Sequence, residues 1–414
     1  MAHQSAADVV VVGGGVIGLG IAWRAALAGM TVTLVDEAPG RGASWAAAGM
    51  LAPVTEVHYG ERPLLALNLA AAGRWPSFAA EVEEASGHPV GYRPGGTLAV
   101  ARDADDNAAL EDLYRFQLRC GLEVERLRSR ECRQLEPGLA PSIRGGVLAA
   151  GDHQVDNRAL VEALLAACQR SGVRLVSGRV AELSVEGDRV TGVMLGGTGD
   201  GVEDTGSGPG PSRPAGSARS RPAGETLAAG TVVLAAGCWS GGLGGLAAEA
   251  LPPVRPVKGQ LLYLRGPAGQ PLCSRNVRGL EVYVVPRGDG RVVVGATVEE
   301  QGFDTTMTAG AVHDLLRAAL ELLPDAAELE LAETVVGLRP GSPDNAPMLG
   351  PAGPEGLLVA TGHYRNGILL TPVTADAIAE LLATGRVPDL IAPFDPGRFP
   401  GGVPVRAGTD RSAP

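Results

Sequence analysis

The earliest residues in the chain whose types and spacing could do chemistry are glycines. Gly13-x-Gly15-x-x-Gly18 follows the apolar run at 9–12 and opens an Ala-rich stretch reaching Ala28. Gly13 permits a tight turn, Gly15 lets the backbone approach a pyrophosphate, and Gly18 lets a helix pack closely on a sheet. The helix start at Val16 and Ile17 offers unpaired N–H groups and the positive end of a dipole to an anion. Asp36 or Glu37, at the end of the next strand, would accept hydrogen bonds from an adenosine ribose. NAD and FAD both fit to this point. The next segment tilts the choice: Ala43, Ser44, Ala47, Ala48, Gly49 and Met50 lie in a run of small residues. Such a run exposes backbone to a flat ligand, as a flavin ring would require, although it also reads as an Ala-rich helix start. Residues 232–237 form an apolar run ending in Ala236 and Gly237, a plausible second contact with the dinucleotide.

These residues need a frame. The run at 9–12 reads as a strand buried on both faces of a parallel sheet, and residues 31–35 return as its neighbour, so a complete βαβ unit opens the chain. Helical spacing recurs at Leu110, Leu113 and Phe116, at Leu160, Leu164 and Cys168, from Val312 to Leu323, and at Ile378, Leu381 and Leu382. Gly172, Pro324 and Gly385 supply stops. Strand-like runs fall at 97–100, 189–195, 231–235, 261–264, 282–285, 291–294 and 357–360. Helices alternate with strands at the two ends and the middle is richer in strands. The expected fold class is therefore α/β: a Rossmann-type dinucleotide-binding domain interleaved with an antiparallel-sheet (α+β) substrate domain. The first would take residues 1–85, 146–250 and 328–414, and the second 86–145 and 251–327.

Composition bounds the reading. The 414 residues carry 35 basic and 46 acidic groups, net −11, so the basic footprint that nucleic acid needs is absent. Lys258 is the only lysine, which removes most Schiff-base and phosphate-loop chemistry. Five cysteines without C-x-x-C spacing read as reduced core thiols. The N-terminus shows no signal-type segment, and the apolar stretch at 9–23 is short for a membrane span and stops at Arg24. A soluble, cytoplasmic protein is expected. Residues 196–224 differ from the rest: glycine, proline and serine fill 17 of 29 positions, too polar to offset ordering entropy. That stretch reads as an expanded, disordered, non-catalytic surface loop between two strands, and the tail after Phe399 reads likewise. There is no G-x-S-x-G, H-E-x-x-H or Walker motif, and no Cys/His cluster with metal spacing.

Four strings occur in order: Ala46-Ala47-Ala48-Gly49-Met50, Tyr283-Val284-Val285-Pro286-Arg287, Gly337-Leu338-Arg339-Pro340-Gly341, and Gly362-His363-Tyr364-Arg365-Asn366-Gly367-Ile368-Leu369-Leu370. On these the chain resembles FAD-dependent amine oxidases of the D-amino-acid oxidase superfamily, most closely the glycine oxidases of thiamine biosynthesis, from Asp8 to about Leu382. The resemblance implies FAD as cofactor, with the substrate carboxylate held by Arg339 and Tyr283 and with Arg365 near both substrate and flavin. It implies that His363, Tyr364, Arg365, Asn366, Gly367, Ile368 and Leu369 wrap the flavin, and that Val180 contacts adenine. It also implies glycine and dioxygen as partners, with a homo-oligomer and a thiazole synthase partner both compatible with it.

Elementary chemistry agrees with those assignments. A guanidinium fork matches a carboxylate bidentately, and a buried tyrosine hydroxyl adds a donor. Competing readings remain at several positions: Arg339 as a loop arginine paired with Asp344, Tyr283 as a plain strand aromatic, and His363 as a structural residue rather than a base. Glu281 stands where the best-known relatives carry a histidine, which puts the charge at the pocket rim, and so the substrate preference, in question. Sarcosine or D-amino-acid oxidation with another electron acceptor is the alternative activity, and a non-catalytic dinucleotide module the alternative class.

Overall fold

The computed structural model describes residues 6–196, 224–247 and 250–399. The glycine-rich insertion, its two end residues apart, and the tail after Phe399 thus lie outside the described residues.

The strand Ala7–Val12 occupies the middle of a mainly parallel sheet because its four valines are buried on both sides. Each such side chain contributes roughly 1.5–3 kcal/mol on burial. Its neighbours are Val32–Asp36 and Thr226–Leu234, both parallel; Arg174–Ser177 and Leu357–Thr361 extend the sheet, and Met348–Pro351 closes it antiparallel. Helices Val16–Leu27, Arg62–Ser86, Asn157–Arg170 and Gly367–Thr384 share one apolar core on one face. Gly20 lets two of them touch, since a Cβ there would lie 3.1 Å from that of Ala375. On the other face, Val180–Glu186 and Arg189–Leu195 pair antiparallel and continue into Thr226–Leu234. That last strand starts at Thr226, five residues before the run legible at 231, because its first half serves the hairpin and its second the parallel sheet. The hairpin ends meet: the N–H of Leu195 donates to Glu225 O at 2.9 Å.

The second unit is an eight-stranded sheet in the order Glu330–Gly341, Arg255–Arg265, Arg291–Gly295, Tyr283–Pro286, Asn276–Arg278, Thr97–Ala101, Gly145–Ala149, Glu125–Arg128. All its pairings are antiparallel except that between Asn276–Arg278 and Thr97–Ala101. Helix Ala309–Leu322 covers one face, packing Leu315, Ala319 and Leu322 on Leu262, Val284 and Val294. The other face turns Leu261, Tyr263, Val285 and Val293 toward Ala46 and Ala48.

Two expected boundaries differ from the sheets. Gly145–Ala149 and Glu330–Gly341 pair within the second sheet, although 146 and 328 were placed as returns to the first unit. Pairing along the whole of Arg255–Arg265, with one bulge between Tyr263 and Leu264, holds the latter strand there. The 25-residue helix Arg62–Ser86, which Pro76 interrupts, carries no clean periodic signal in the sequence. The segment Tyr364–Thr384 is long and apolar enough to span a bilayer, but two thirds of it is buried against the helices of the first unit.

Candidate active site

Turn geometry builds the dinucleotide cradle. Gly13 has φ +105°, and a Cβ there would sit 2.4 Å from Ala235 O; one on Gly18 would sit 1.9 Å from Gly13 O. No larger residue fits either place. Helix Val16–Leu27 begins at Gly15, which has no side chain to cap it, so its N-terminus is suited to an anion beside the one N–H that Ser44 takes. Ser44 lies over that terminus, its Oγ accepting the Val16 N–H at 3.0 Å. Asp36 accepts the N–H of Gly14 and of Ala38, each at 2.7 Å; burial raises its carboxyl above the ordinary value while those N–H groups oppose the rise. Glu37 beside it is exposed. Val180 packs with Val12, Val35 and Val176 in the core beneath the cradle. Gly237 has φ +57° and its carbonyl accepts from Thr361 Oγ1 at 3.0 Å, tying the second contact strand to the last one.

The small-residue run forms one helical turn, Ala43–Ala46, as its reading as a helix start expects, and then an extended strap. Protein donors take the strap's carbonyls. Asn157 Nδ2 donates to Ser44 O and Trp45 O, the Val155 N–H donates to Gly49 O, and Arg287 Nη2 donates to Ala48 O at 2.6 Å. Gly49 is required, because a Cβ there would lie 2.0 Å from Val155 O. Buried Arg287 also reaches Gln154 and Asn157, and so straps the run to the second sheet.

Two glycines in that sheet make room for the expected carboxylate clamp. Arg339 lies across Gly259, where a Cβ would be 2.4 Å from its Nη1, and donates to Lys258 O at 3.3 Å and Thr297 O at 3.0 Å. Tyr283 lies across Gly295, where a Cβ would be 2.5 Å from its hydroxyl. Gly337, on the same face as Arg339, lets the strap approach: a Cβ there would be 2.6 Å from that of Ala46. Among the described residues Arg339 has no carboxylate partner. Asp344, its alternative partner, binds Arg398 instead at 2.9 and 3.0 Å. Burial pushes the Tyr283 phenol up to about 12, with Arg339 pulling the other way, so the hydroxyl is a neutral donor.

A ring of charges adjoins the clamp. Arg278 pairs in register with Tyr283 and so shares its face; its Nη1 meets Glu56 Oε1 at 2.6 Å. Burial alone would raise the Glu56 carboxyl, but the Arg278 and Arg365 guanidinium groups outweigh it and hold Glu56 below its ordinary value. Arg365 donates to Glu56 O at 3.2 Å and meets Glu61 at 3.5 Å, while its buried Nε has no partner. Buried Asp152 anchors the segment between them, accepting the N–H groups of Val54 and Thr55 and the Thr55 hydroxyl. Glu281 is not part of this ring: its side chain is 70% exposed and points toward Arg102, 3.7 Å away. The rim charge beside Tyr283 therefore comes from Arg278, a short way before it in the chain, and from Glu56, which is 222 residues from Arg278 in sequence.

The last string follows strand Leu357–Thr361. Tyr364 takes φ +48° in the turn Tyr364–Asn366, and Gly367, Ile368 and Leu369 start helix Gly367–Thr384, again with no side-chain cap. His363 is buried, its Nε2 3.1 Å from Thr374 Oγ1, and burial pushes it down to about 3, which makes it a neutral structural residue. Among the described residues no three metal-ligating side chains cluster. Gly259, Gly295, Glu56 and Arg278 stand in no string of the sequence, and only strand register and the Arg278–Glu56 contact reveal them; Arg287 stands in the second string, but its hold on the strap does not show there. The glycine cradle, the strap and the unpartnered Arg365 Nε fit FAD.

Residues 8–381 match the family of FAD dependent oxidoreductases. The bifunctional protein ThiO/ThiG of Synechocystis sp. is 36% identical over 404 residues, which are 96% of this chain and 54% of that one. The chain thus spans about half the length of such fused relatives. The crystal structure of glycine oxidase from Geobacillus kaustophilus superposes with a TM-score of 0.81 at 33% identity, covering 95% of this chain and 99% of that one. Iminodiacetate oxidase from a Chelativorans species gives a TM-score of 0.79 at 26% identity, covering 94% and 98%. With the cradle, the strap and the family match in agreement over nearly the whole chain, this protein belongs to the FAD-dependent oxidoreductase family.

Proposed function

We propose that the chain oxidises glycine to 2-iminoacetate, supplying the thiazole branch of thiamine biosynthesis. The observation that carries the reading is Arg339: a half-buried guanidinium with only neutral partners, laid beside the neutral Tyr283 hydroxyl on the face that meets the strap. A cation in that setting is a seat for one carboxylate. Gly13, Gly15, Val16, Ile17, Gly18 and Asp36 or Glu37 would hold the dinucleotide, Val180 the adenine end, and Ala43–Met50, Gly237 and His363–Leu369 the flavin end. FAD, when bound, supplies the two-electron acceptor for the Cα hydride, with dioxygen as final oxidant and hydrogen peroxide as its product. The protein orients the substrate: Arg339 and Tyr283 fix the carboxylate, and Arg287 and Asn157 keep the strap rigid. Hydride leaves the carbon of an uncharged amine, and His363, buried and bonded to Thr374, is a structural residue rather than the base. Imine that is not passed on hydrolyses to glyoxylate and ammonia.

The names of the Synechocystis and Geobacillus relatives support this substrate, and the ThiG half of the former supports a thiazole synthase as partner. Five unpaired cysteines, four of them buried, suit a reducing cytoplasm. Anaerobic mixing with glycine, then sarcosine and D-proline, while following flavin absorbance tests the proposal. Bleaching by glycine, with peroxide on readmission of air, is expected; bleaching by the bulkier amines alone would overturn the substrate.

A further inference from the structure

Arg339 and Arg278 both act on Tyr283, a third guanidinium, Arg365, shares Glu56 with Arg278, and the three are not equivalent. Arg278 is matched by Glu56 at 2.6 Å, and Arg365 by Glu61 at 3.5 Å together with the Glu56 carbonyl. Arg339 alone has only carbonyl partners. Arg339 is therefore the one of the three without a carboxylate partner, and so a seat for one anionic group. A ligand with a second carboxylate would have to reach another free cation. The nearest to the clamp is Arg278, directly across the strand pair from Tyr283, and it is already engaged. The engagement is firm on both sides. Glu56 and Arg278 are 15% and 23% exposed, and the segment bearing Glu56 is pinned two residues earlier by the bond from Val54 N–H to buried Asp152. Neither partner turns out to solvent without breaking the charge-assisted bond from Arg278 Nη1 to Glu56 Oε1.

We propose that the Glu56–Arg278 pair sets substrate specificity by restricting this site to amines that carry a single carboxylate. The inference rests on Arg339 being the carboxylate seat, as in the function proposed above, and goes further by assigning the discrimination to a pair outside that clamp. Removing the negative charge while keeping the shape, with Glu56→Gln, releases Arg278 as a second anion seat on the far side of Tyr283 from Arg339. Iminodiacetate, glycine with a carboxymethyl group on its nitrogen, is the matching probe.

In the unaltered holoenzyme, acetate is expected to perturb the flavin spectrum and compete with the amine substrate, while malonate does so at least about tenfold more weakly, as one unmatched charge at a buried site implies. In Glu56→Gln the ratio of kcat/KM for iminodiacetate to that for glycine should rise about tenfold or more, mainly through KM, and the malonate deficit should close. Adding Arg278→Met should abolish both gains. Equal competition by malonate and acetate in the unaltered enzyme overturns the proposal, as does a gain in Glu56→Gln that survives Arg278→Met. Should Glu56→Gln not fold, the competition in the unaltered enzyme decides alone. Failure of glycine to bleach the flavin would instead strike the proposed activity, because the acetate and malonate comparison counts anionic groups whichever amine is oxidised.

Discussion

The cofactor cradle and the substrate clamp both depend on glycine, but in opposite ways. In the cradle, Gly13 and Gly18 are themselves the contact surface: backbone meets backbone, Gly18 against nearby Gly13 and Gly13 against Ala235 at the end of a neighbouring strand. In the clamp, Gly259 and Gly295 touch nothing of their own; they vacate space that Arg339 and Tyr283, from other strands, then fill. The first arrangement is built largely from local sequence. The second exists only once Glu330–Gly341, Arg255–Arg265, Arg291–Gly295 and Tyr283–Pro286 are in register. The lesson is that a binding surface of backbone is encoded in spacing, whereas one of side chains is encoded in pairing.

Substitutions sharpen that contrast. The largest effect is expected from Gly18→Ala, whose Cβ would fall 1.9 Å from Gly13 O, a backbone atom unable to yield. Purified protein should carry about tenfold less flavin per chain, read as the ratio of flavin to protein absorbance. Full flavin content would mean that the cradle is more compliant than its geometry. Next, Arg339→Lys should leave flavin content unchanged while kcat/KM for glycine falls about a hundredfold, since a point charge cannot reproduce two charge-assisted bonds. Unaltered kinetics would detach Arg339 from the substrate.

A smaller effect concerns pH. Burial pushes Asp152 up to about 6, against the hydrogen bonds from Thr55 and Val54, while an unfolded chain ionises it near 3.8. Between those values the folded state holds the extra proton, so this group's contribution to stability falls as pH rises and its cost is complete above about 6. Asp152→Asn removes that slope. The difference in Tm between variant and parent should therefore move in the variant's favour from about pH 4 to about pH 7. A constant difference would show that Asp152 does not titrate in this window.

Legibility in the sequence follows the same division. The βαβ opening, the strap, and the helices ending at Gly172 and Gly385 are visible because each is specified within one or two turns of chain. The interleaving of two units is visible from the distribution of strands, but the ends of Gly145–Ala149 and Glu330–Gly341 are not, because a strand shows its own pattern and not its partner's. In the site, Arg339 and Tyr283 stand in recognisable strings. Glu281 drew attention by its charge and faces Arg102, whereas Arg278 and Glu56 went unmarked: an arginine one strand away and a glutamate in a loop acquire meaning only from their 2.6 Å contact.

The order of strands in the first sheet also sets a timetable. Ala7–Val12 is synthesised first, yet one of its two flanking strands, Thr226–Leu234, follows about two hundred residues later, and Leu357–Thr361 with the turn at His363 comes later still. Contacts so distant along the chain form slowly, because loop closure has to precede them. The glycine turn is thus ready at birth but has no far wall until the chain is nearly complete, which makes cofactor capture a closing event of folding rather than its nucleus.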